Sequence, residues 1–128
     1  MGLILSIAGG GAIGAVARHL STVWIVGTTP EDFPWGTAII NVTGSFLLGF
    51  ALVSMSARPV SDEVRGFVTV GLLGAFTTFS TFSQETVTLL QAGYYVRAAV
   101  YVLGSVSVGL LAVVAGAALA SNTVSTSG

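Results

Sequence analysis

The feature that most constrains this chain is its division into four long apolar stretches. They cover residues 3–26, 35–56, 65–91 and 98–120. A helix needs about 20 mostly apolar residues to cross the hydrocarbon core of a bilayer, and each stretch meets that requirement. We therefore predict an all-α integral membrane protein with four transmembrane helices.

Polar connections separate the stretches. Residues 27–34 and 57–64 each contain two acidic residues and at least one proline, and residues 91–97 form the third turn. Aromatic residues that favour the headgroup level lie at the span ends, namely Trp24, Trp35, Tyr94 and Tyr95. The organisation predicted is a single membrane domain over residues 1–120, followed by a loose polar tail over residues 121–128.

The composition excludes several classes of function. Of the 128 residues, 53% are hydrophobic and only 7% are charged, against about 25% charged residues in soluble domains. Four arginines against five acids leave no basic face for nucleic acid. Without cysteine, and with one histidine, the chain lacks disulfides, thiolate metal sites and most histidine-based chemistry. An enzyme is not expected.

The first apolar stretch allows two further interpretations, a signal peptide and a dinucleotide-binding motif, and the sequence disfavours both. A cleaved signal peptide would carry a basic residue before its apolar run, and none is present. Gly9, Gly11 and Gly14 spell a dinucleotide-binding fingerprint, but that motif follows a strand in a βαβ unit. Close helix packing is favoured instead, because Gly10 and Gly14 are four residues apart, as are Gly11 and Ala15.

The arginines give almost no orientation in the membrane. Four spans place both termini on one side with residues 57–64, which include Arg58 and precede Arg65. The opposite side has Arg97, and Arg18 if its side chain reaches that way. Since cytoplasmic loops normally carry an excess of Lys and Arg, this balance permits insertion in both directions. We therefore expect an antiparallel homodimer with its two-fold axis in the membrane plane.

Polar residues inside the second span form one helix face. Thr37, Asn41 and Ser45 recur every four residues, with Asn41 near the middle of the membrane. Intramembrane polar residues frequently mark functional paths, although an asparagine can equally join two helices through a hydrogen bond. The spacing leaves both interpretations open.

The third span has the densest polar signal. Gly71 and Gly74 are followed by five hydroxyl residues within positions 77–83, which disfavours a continuous helix. A break between Gly74 and Thr78 would expose backbone carbonyls, which at that depth must be buried or bound to an ion. Carbonyl oxygens without carboxylates or thiolates suit a hard monovalent cation such as sodium.

Phenylalanines follow this predicted break. Phe79 and Phe82 lie three apart on one face, a spacing that more often indicates core packing. Because hydroxyl groups flank them, their positive ring edges can instead line a narrow path for a small anion. Tyr101 and Ser105 in the fourth span offer further hydroxyls. Glu85 either stabilises the broken helix or takes part in permeation.

Three segments resemble the Fluc (CrcB) family of fluoride channels, in order and over nearly the whole chain. They are GGGAIGAVAR from Gly9 to Arg18, GTAIINVTGSFLLG from Gly36 to Gly49, and GLLGAFTTFSTFSQE from Gly71 to Glu85. The third is the most specific. The resemblance implies passive, selective fluoride efflux through two pores of a dual-topology homodimer in a bacterial plasma (inner) membrane.

The resemblance also implies roles for individual residues. The pore would be lined by Asn41, Phe79, Phe82, Ser80, Thr81, Tyr101 and Ser105. The carbonyls of Gly74 and Thr77 would hold a central sodium ion, Arg18 would lie in an aqueous vestibule, and Glu85 would end the polar track. Some members carry a hydroxyl one turn beyond Ser105, where this chain has Gly109.

Two rival functions fit less well. A small dual-topology multidrug/proton antiporter shares the weak arginine bias, but it needs a carboxylate expected in the first span, which here has none. A non-transporting assembly subunit would leave the hydroxyl-rich third span without a purpose.

Overall fold

The protein is a bundle of four membrane-length helical segments. The structure, a computed structural model, describes residues 1–126, so Ser127 and Gly128 of the predicted tail lie outside the described residues. The helices are α1 (Gly2–Val26), α2 (Trp35–Ser56), α3 (Asp62–Arg65), a π-helix (Gly66–Leu73), α4 (Gly74–Phe76), α5 (Phe79–Gln91) and α6 (Tyr95–Ser125). Four stretches are long and apolar enough to cross a membrane: α1, α2, the interrupted run Asp62–Gln91, and α6. The four predicted spans are confirmed.

The span boundaries differ from the predicted ones at polar ends. The third crossing begins at Asp62 because Ser61 caps it, accepting the Val64 N–H at 3.4 Å, and because Asp62 and Glu63 in the first turn complement the helix dipole. At the other end of the chain, α6 continues to Ser125 and takes in the first residues of the predicted tail.

Two of the three connections between the crossings lie next to each other at one end of the bundle. The turn after α5 contains Gly93, whose φ of 80° is a conformation that favours glycine. At the same end of the bundle, the Arg97 guanidinium donates to the Asp32 carbonyl at 3.1 Å and lies 3.6 Å from its carboxylate. The connections 27–34 and 92–94 are therefore neighbours on one side, opposite residues 57–61.

Helix α1 packs backbone to backbone against the π-helix. A Cβ atom added at Gly14 would overlap the Leu72 carbonyl, and one added at Gly10 would overlap the Phe67 carbonyl. The packing role predicted for these two glycines is thereby confirmed. Gly11 differs, since a Cβ atom there would meet open space.

Helices α2 and α6 form the second close pair. Gly49 approaches the Val113 carbonyl, and Gly116 approaches the Phe46 carbonyl, so each helix presents one glycine to the other. Large apolar side chains on the outside of α6 stay exposed, including Leu103 at 68% and Leu111 at 68%. These faces suit lipid tails or a second membrane protein.

Candidate functional site

The third crossing is interrupted at two residues. Thr77 (φ −78°, ψ 157°) and Thr78 (φ −148°, ψ 114°) are extended between α4 and α5. The predicted break is therefore present, at the carboxyl-terminal end of the predicted interval, while Gly74 itself keeps a helical conformation (φ −65°, ψ −35°). This irregular backbone lies deep in a bundle whose membrane environment offers no water to satisfy it.

Asn41 of α2 satisfies the backbone at this break. Its Nδ2 donates to the Thr78 carbonyl at 3.0 Å, and its Oδ1 accepts the Thr78 N–H at 2.8 Å. The amide therefore bridges two helices, as one of the two interpretations of this residue predicted. The bridge uses one of two N–H groups and one of two oxygen lone pairs, so part of the amide stays available to another group.

Thr78 also caps α5. Its Oγ1 accepts the Thr81 N–H at 3.3 Å and donates to the Thr81 hydroxyl at 3.0 Å. The Ser80 hydroxyl lies 3.3 Å from the same oxygen. Two of the hydroxyls predicted to line a path, those of Ser80 and Thr81, thus surround the cap, and both residues remain exposed.

These bonds redirect two backbone donors. In a continuous helix the N–H of a residue donates to the carbonyl four positions earlier, so Thr78 would pair with Gly74, and Thr81 with Thr77. Here Thr78 donates to Asn41 and Thr81 donates to the Thr78 hydroxyl. The Gly74 and Thr77 carbonyls, the two expected to face a cation, are the ones that lose these partners.

A cavity of about 290 Å³ lies beside the break. Its lining comes from three of the crossings and includes six of the residues predicted from the sequence. They are Asn41, Gly74, Thr77, Phe79, Phe82 and Ser105. The centroids of the Phe79 and Phe82 rings are 5.8 Å apart, and Phe79 is 79% exposed. An apolar ring that exposed does not pack in the core of this chain.

The Glu85 carboxylate is held by two hydroxyl donors. Thr37 donates to Oε1 at 2.9 Å, and Tyr101 donates to Oε2 at 2.6 Å. Thr37 is 3% exposed and Tyr101 is fully buried. Glu85 therefore joins α2, α5 and α6 and caps no helix end. The pairing of Thr37 with Glu85 is a feature that sequence reasoning missed, although Thr37 shares the polar face of Asn41.

A second cavity, of about 430 Å³, opens at the Glu85 end. Its polar lining includes Thr22, Thr37, Thr81, Gln84, Glu85 and Thr88. The Phe82 ring, which lines the first cavity, lies 5.0 Å centroid to centroid from the ring of Tyr101. The Tyr101 hydroxyl bonds Glu85, which lines the second cavity. The polar groups thus form a discontinuous track from the helix break to the end of the bundle that carries residues 27–34.

The predicted site residue Arg18 lies away from this track, and Gly109, where some family members carry a hydroxyl, lies beside Ser45. Arg18 is half-buried on α1, outside the lining of both cavities, although Thr22 one turn later lies in the second. Gly109 faces α2, where a Cβ atom would come 3.8 Å from the Ser45 hydroxyl. Ser45 also lines the first cavity, so α2 supplies a hydroxyl near the position where α6 lacks one.

The side chains that the structure describes form no group able to hold a metal ion by themselves. Within residues 1–126, no cluster of three His, Asp or Glu side chains has the arrangement of a metal site. A cation bound in this part of the chain would depend on backbone carbonyls, of which Gly74 and Thr77 have lost their helical donors.

Comparisons with known proteins agree with this arrangement. Residues 5–117 match the family model described as CrcB-like protein, Camphor Resistance (CrcB). The chain is 44% identical over 120 residues to a protein of Rhizobium meliloti named fluoride-specific ion channel FluC, with 93% of this chain and 96% of the relative covered. Relatives of the same name from Agrobacterium fabrum (46% identity, 93% and 96% covered) and Roseiflexus (45%, 91% and 95%) are similar. The chain is therefore a multi-pass membrane protein that belongs to the CrcB-like family.

Proposed function

We propose that this chain is a fluoride-selective channel that allows passive fluoride efflux across a bacterial plasma membrane. The observation that carries the proposal is the cavity in which Asn41, Phe79, Phe82 and Ser105 meet beside a break in a membrane helix. The names of the relatives point to fluoride as the ion and to a channel instead of an enzyme.

The chemistry of the cavity suits a small anion. Removing an ion from water into a low-dielectric interior costs on the order of 20 kcal/mol in an idealised estimate, so close donors must replace the lost water. The free N–H of the Asn41 amide, the Ser105 hydroxyl and the positive edges of two phenyl rings are such donors. The closely packed glycine-rich helices around them leave little width, which disfavours larger halides.

Glu85 marks the route toward the wider cavity. Its carboxylate accepts hydrogen bonds from the hydroxyls of Thr37 and Tyr101. An anion leaving the Phe79 and Phe82 rings would compete with the Glu85 carboxylate for these two hydroxyls. The hydroxyls could therefore donate hydrogen bonds to the passing ion. We place the Thr81 hydroxyl at the same exit, the Ser80 hydroxyl at the helix break, and Arg18 as a more distant source of positive potential.

The channel is proposed to work as an antiparallel homodimer. The arginines stay nearly balanced between the two ends of the bundle. Arg58 and Arg65 lie toward the termini, Arg97 lies at the opposite end, and Arg18 lies in the half of α1 nearer that opposite end. Gly74 and Phe79 are both exposed on a single copy. A second copy in inverted orientation would cover them and complete two pores related by symmetry.

We place a sodium ion at the centre of the proposed dimer. Its ligands would be the Gly74 and Thr77 carbonyls of each copy, which lack the donors that a continuous helix would give them. Oxygen atoms without side-chain charge suit a hard monovalent cation, and when bound it would supply positive potential to an anion path.

Efflux from liposomes tests the function. Purified protein is reconstituted in vesicles loaded with fluoride or chloride, and release is followed with ion-selective electrodes after a potassium ionophore removes the counter-voltage. We expect rapid fluoride release and chloride release at the rate of empty vesicles. Equal release of both anions, or of neither, would overturn the proposal.

A further inference from the structure

The Asn41 side chain bonds both backbone groups of Thr78, as the backbone of a neighbouring β-strand would. It accepts the Thr78 N–H at 2.8 Å and donates to the Thr78 carbonyl at 3.0 Å, although 37 residues separate the two in sequence. Thr78 is extended and only 8% exposed. Its two backbone groups thus find both partners on one side chain of a different helix.

This pairing is energetically necessary for the break to persist. An unpaired backbone group in hydrocarbon costs several kcal/mol, and an extended residue has two of them. A short primary amide offers a donor and an acceptor in one plane, which a hydroxyl or an apolar side chain does not. Without Asn41, the pairing nearest at hand is continuation of the helix, with Thr78 donating to Gly74 and Thr81 donating to Thr77.

We propose that Asn41 is the positioning residue of the cation site, because its bond to Thr78 keeps the third crossing broken and leaves the Gly74 and Thr77 carbonyls free for a cation. The inference rests on the proposed function, since it concerns the sodium site proposed there. It assigns to Asn41 a task beyond contact with the anion.

One side chain then serves both ions. The part of the Asn41 amide that Thr78 does not use lies in the cavity with Phe79 and Phe82. An anion that draws on this amide acts on the group that holds the break. Any change that fluoride causes in sodium affinity through Asn41 would be matched by an equal change in fluoride affinity caused by sodium, because coupling between two ligands is reciprocal at equilibrium.

The test measures sodium binding apart from ion flux. The thermal midpoint of the purified dimer is recorded in increasing sodium chloride, with N-methylglucamine chloride keeping ionic strength constant. A ligand that binds only the assembled native state raises this midpoint by mass action. The comparison is between the wild type, Asn41→Leu, which has similar volume and no polar group, and Asn41→Ser, which offers one hydroxyl too short to pair both groups of Thr78.

Three further variants isolate the role of Asn41. Ser105→Ala changes another residue of the same cavity that has no bond to the break, so it leaves the sodium concentration for half-maximal stabilisation unchanged even if it slows flux. Thr78→Val removes the oxygen that accepts the Thr81 N–H and returns that donor to the Thr77 carbonyl, whereas Thr78→Ser retains the oxygen.

The inference predicts that Asn41→Leu raises the half-maximal sodium concentration at least tenfold, and that Thr78→Val, but not Thr78→Ser, raises it as well. If a dimeric Asn41→Leu protein has the wild-type sodium concentration for half-maximal stabilisation, the inference is wrong, although the sodium site itself is still supported. If Asn41→Leu does not assemble, Asn41→Ser is compared with the wild type in the same way. An unchanged sodium concentration for half-maximal stabilisation in Asn41→Ser would then contradict the inference. A wild type that sodium does not stabilise would instead remove the sodium site itself.

Discussion

The hydroxyl of Tyr101 donates to Oε2 of Glu85 across 2.6 Å, and the tyrosine that makes this bond is fully buried. Glu85 receives its other bond from Thr37, so the carboxylate fastens α5 to both α2 and α6. A hydroxyl that ties helices together is also a donor within reach of the second cavity. Changes to the bond between Tyr101 and Glu85 therefore test both the stability of the protein and its fluoride flux.

Removing this hydroxyl is expected to harm stability and flux. Tyr101→Phe leaves Oε2 of the half-buried Glu85 without its donor, for which we expect a loss of about 1–3 kcal/mol in unfolding free energy. Glu85→Gln leaves one of the two hydroxyls facing an N–H donor. In a double-mutant cycle the two changes should show a coupling of about 0.5–3 kcal/mol, because they remove the same bond. Additive effects in denaturant unfolding would show that the bond contributes nothing.

The Phe82 ring is predicted to act through its electrostatic edge. Phe82→Ile keeps apolar bulk between Phe79 and Tyr101 but removes the ring, so fluoride efflux should fall at least tenfold while the gel-filtration peak stays dimeric. The matched control is Phe67→Ile, since Phe67 lies against Gly9 of α1 and away from the cavity. Loss of the dimer with unchanged flux per remaining dimer would favour core packing as the role of Phe82.

Close approach of α1 to the π-helix predicts unequal effects at neighbouring glycines. Gly14→Ala forces a methyl group onto the Leu72 carbonyl, which should cost about 1–3 kcal/mol through displaced backbone. Gly11→Ala meets open space in the same helix and should leave thermal stability nearly unchanged. Equal melting shifts for the two variants would contradict this packing.

How far the sequence predicts this architecture depends on the range of the interactions. The bounds of α2 agree with the predicted span 35–56, because bilayer thickness and apolar length determine a crossing. Gly74 and the hydroxyls after it predict a break, but its extended residues are Thr77 and Thr78, and Thr78 bonds Asn41, 37 residues away. A partner so distant leaves no periodic signal.

The same limit applies to the site. The polar stripe of Thr37 and Asn41 was visible in the spacing, and the cavity gathers most of the residues predicted to line a path. The local pattern did not reveal that Thr37 and Tyr101 both bond Glu85, since the three residues come from different helices. Arg18 lies outside both cavities, whereas Thr22, one turn later on the same helix, lines the second.

The antiparallel arrangement is tested by biasing the insertion of the chain. Ala57→Lys with Val60→Lys adds two positive charges to the connection on the side of the termini, which should hold that side in the cytoplasm. Thr29→Lys with Glu31→Lys biases the chain the other way. Each biased copy should be inactive alone, and co-expression should restore fluoride resistance to cells that lack their own exporter. Full activity from one biased copy would argue for a parallel assembly.

The most direct measurement of fluoride selectivity is the reversal potential of the purified protein in a planar bilayer, with fluoride on one side and an equal concentration of chloride on the other. A path lined by Asn41, Phe79 and Phe82 that accepts fluoride and excludes chloride predicts a large reversal potential of the sign set by fluoride alone. It also predicts that Phe82→Ile lowers the current. A reversal potential near zero, or one of the sign set by chloride, would contradict the fluoride path described for this chain.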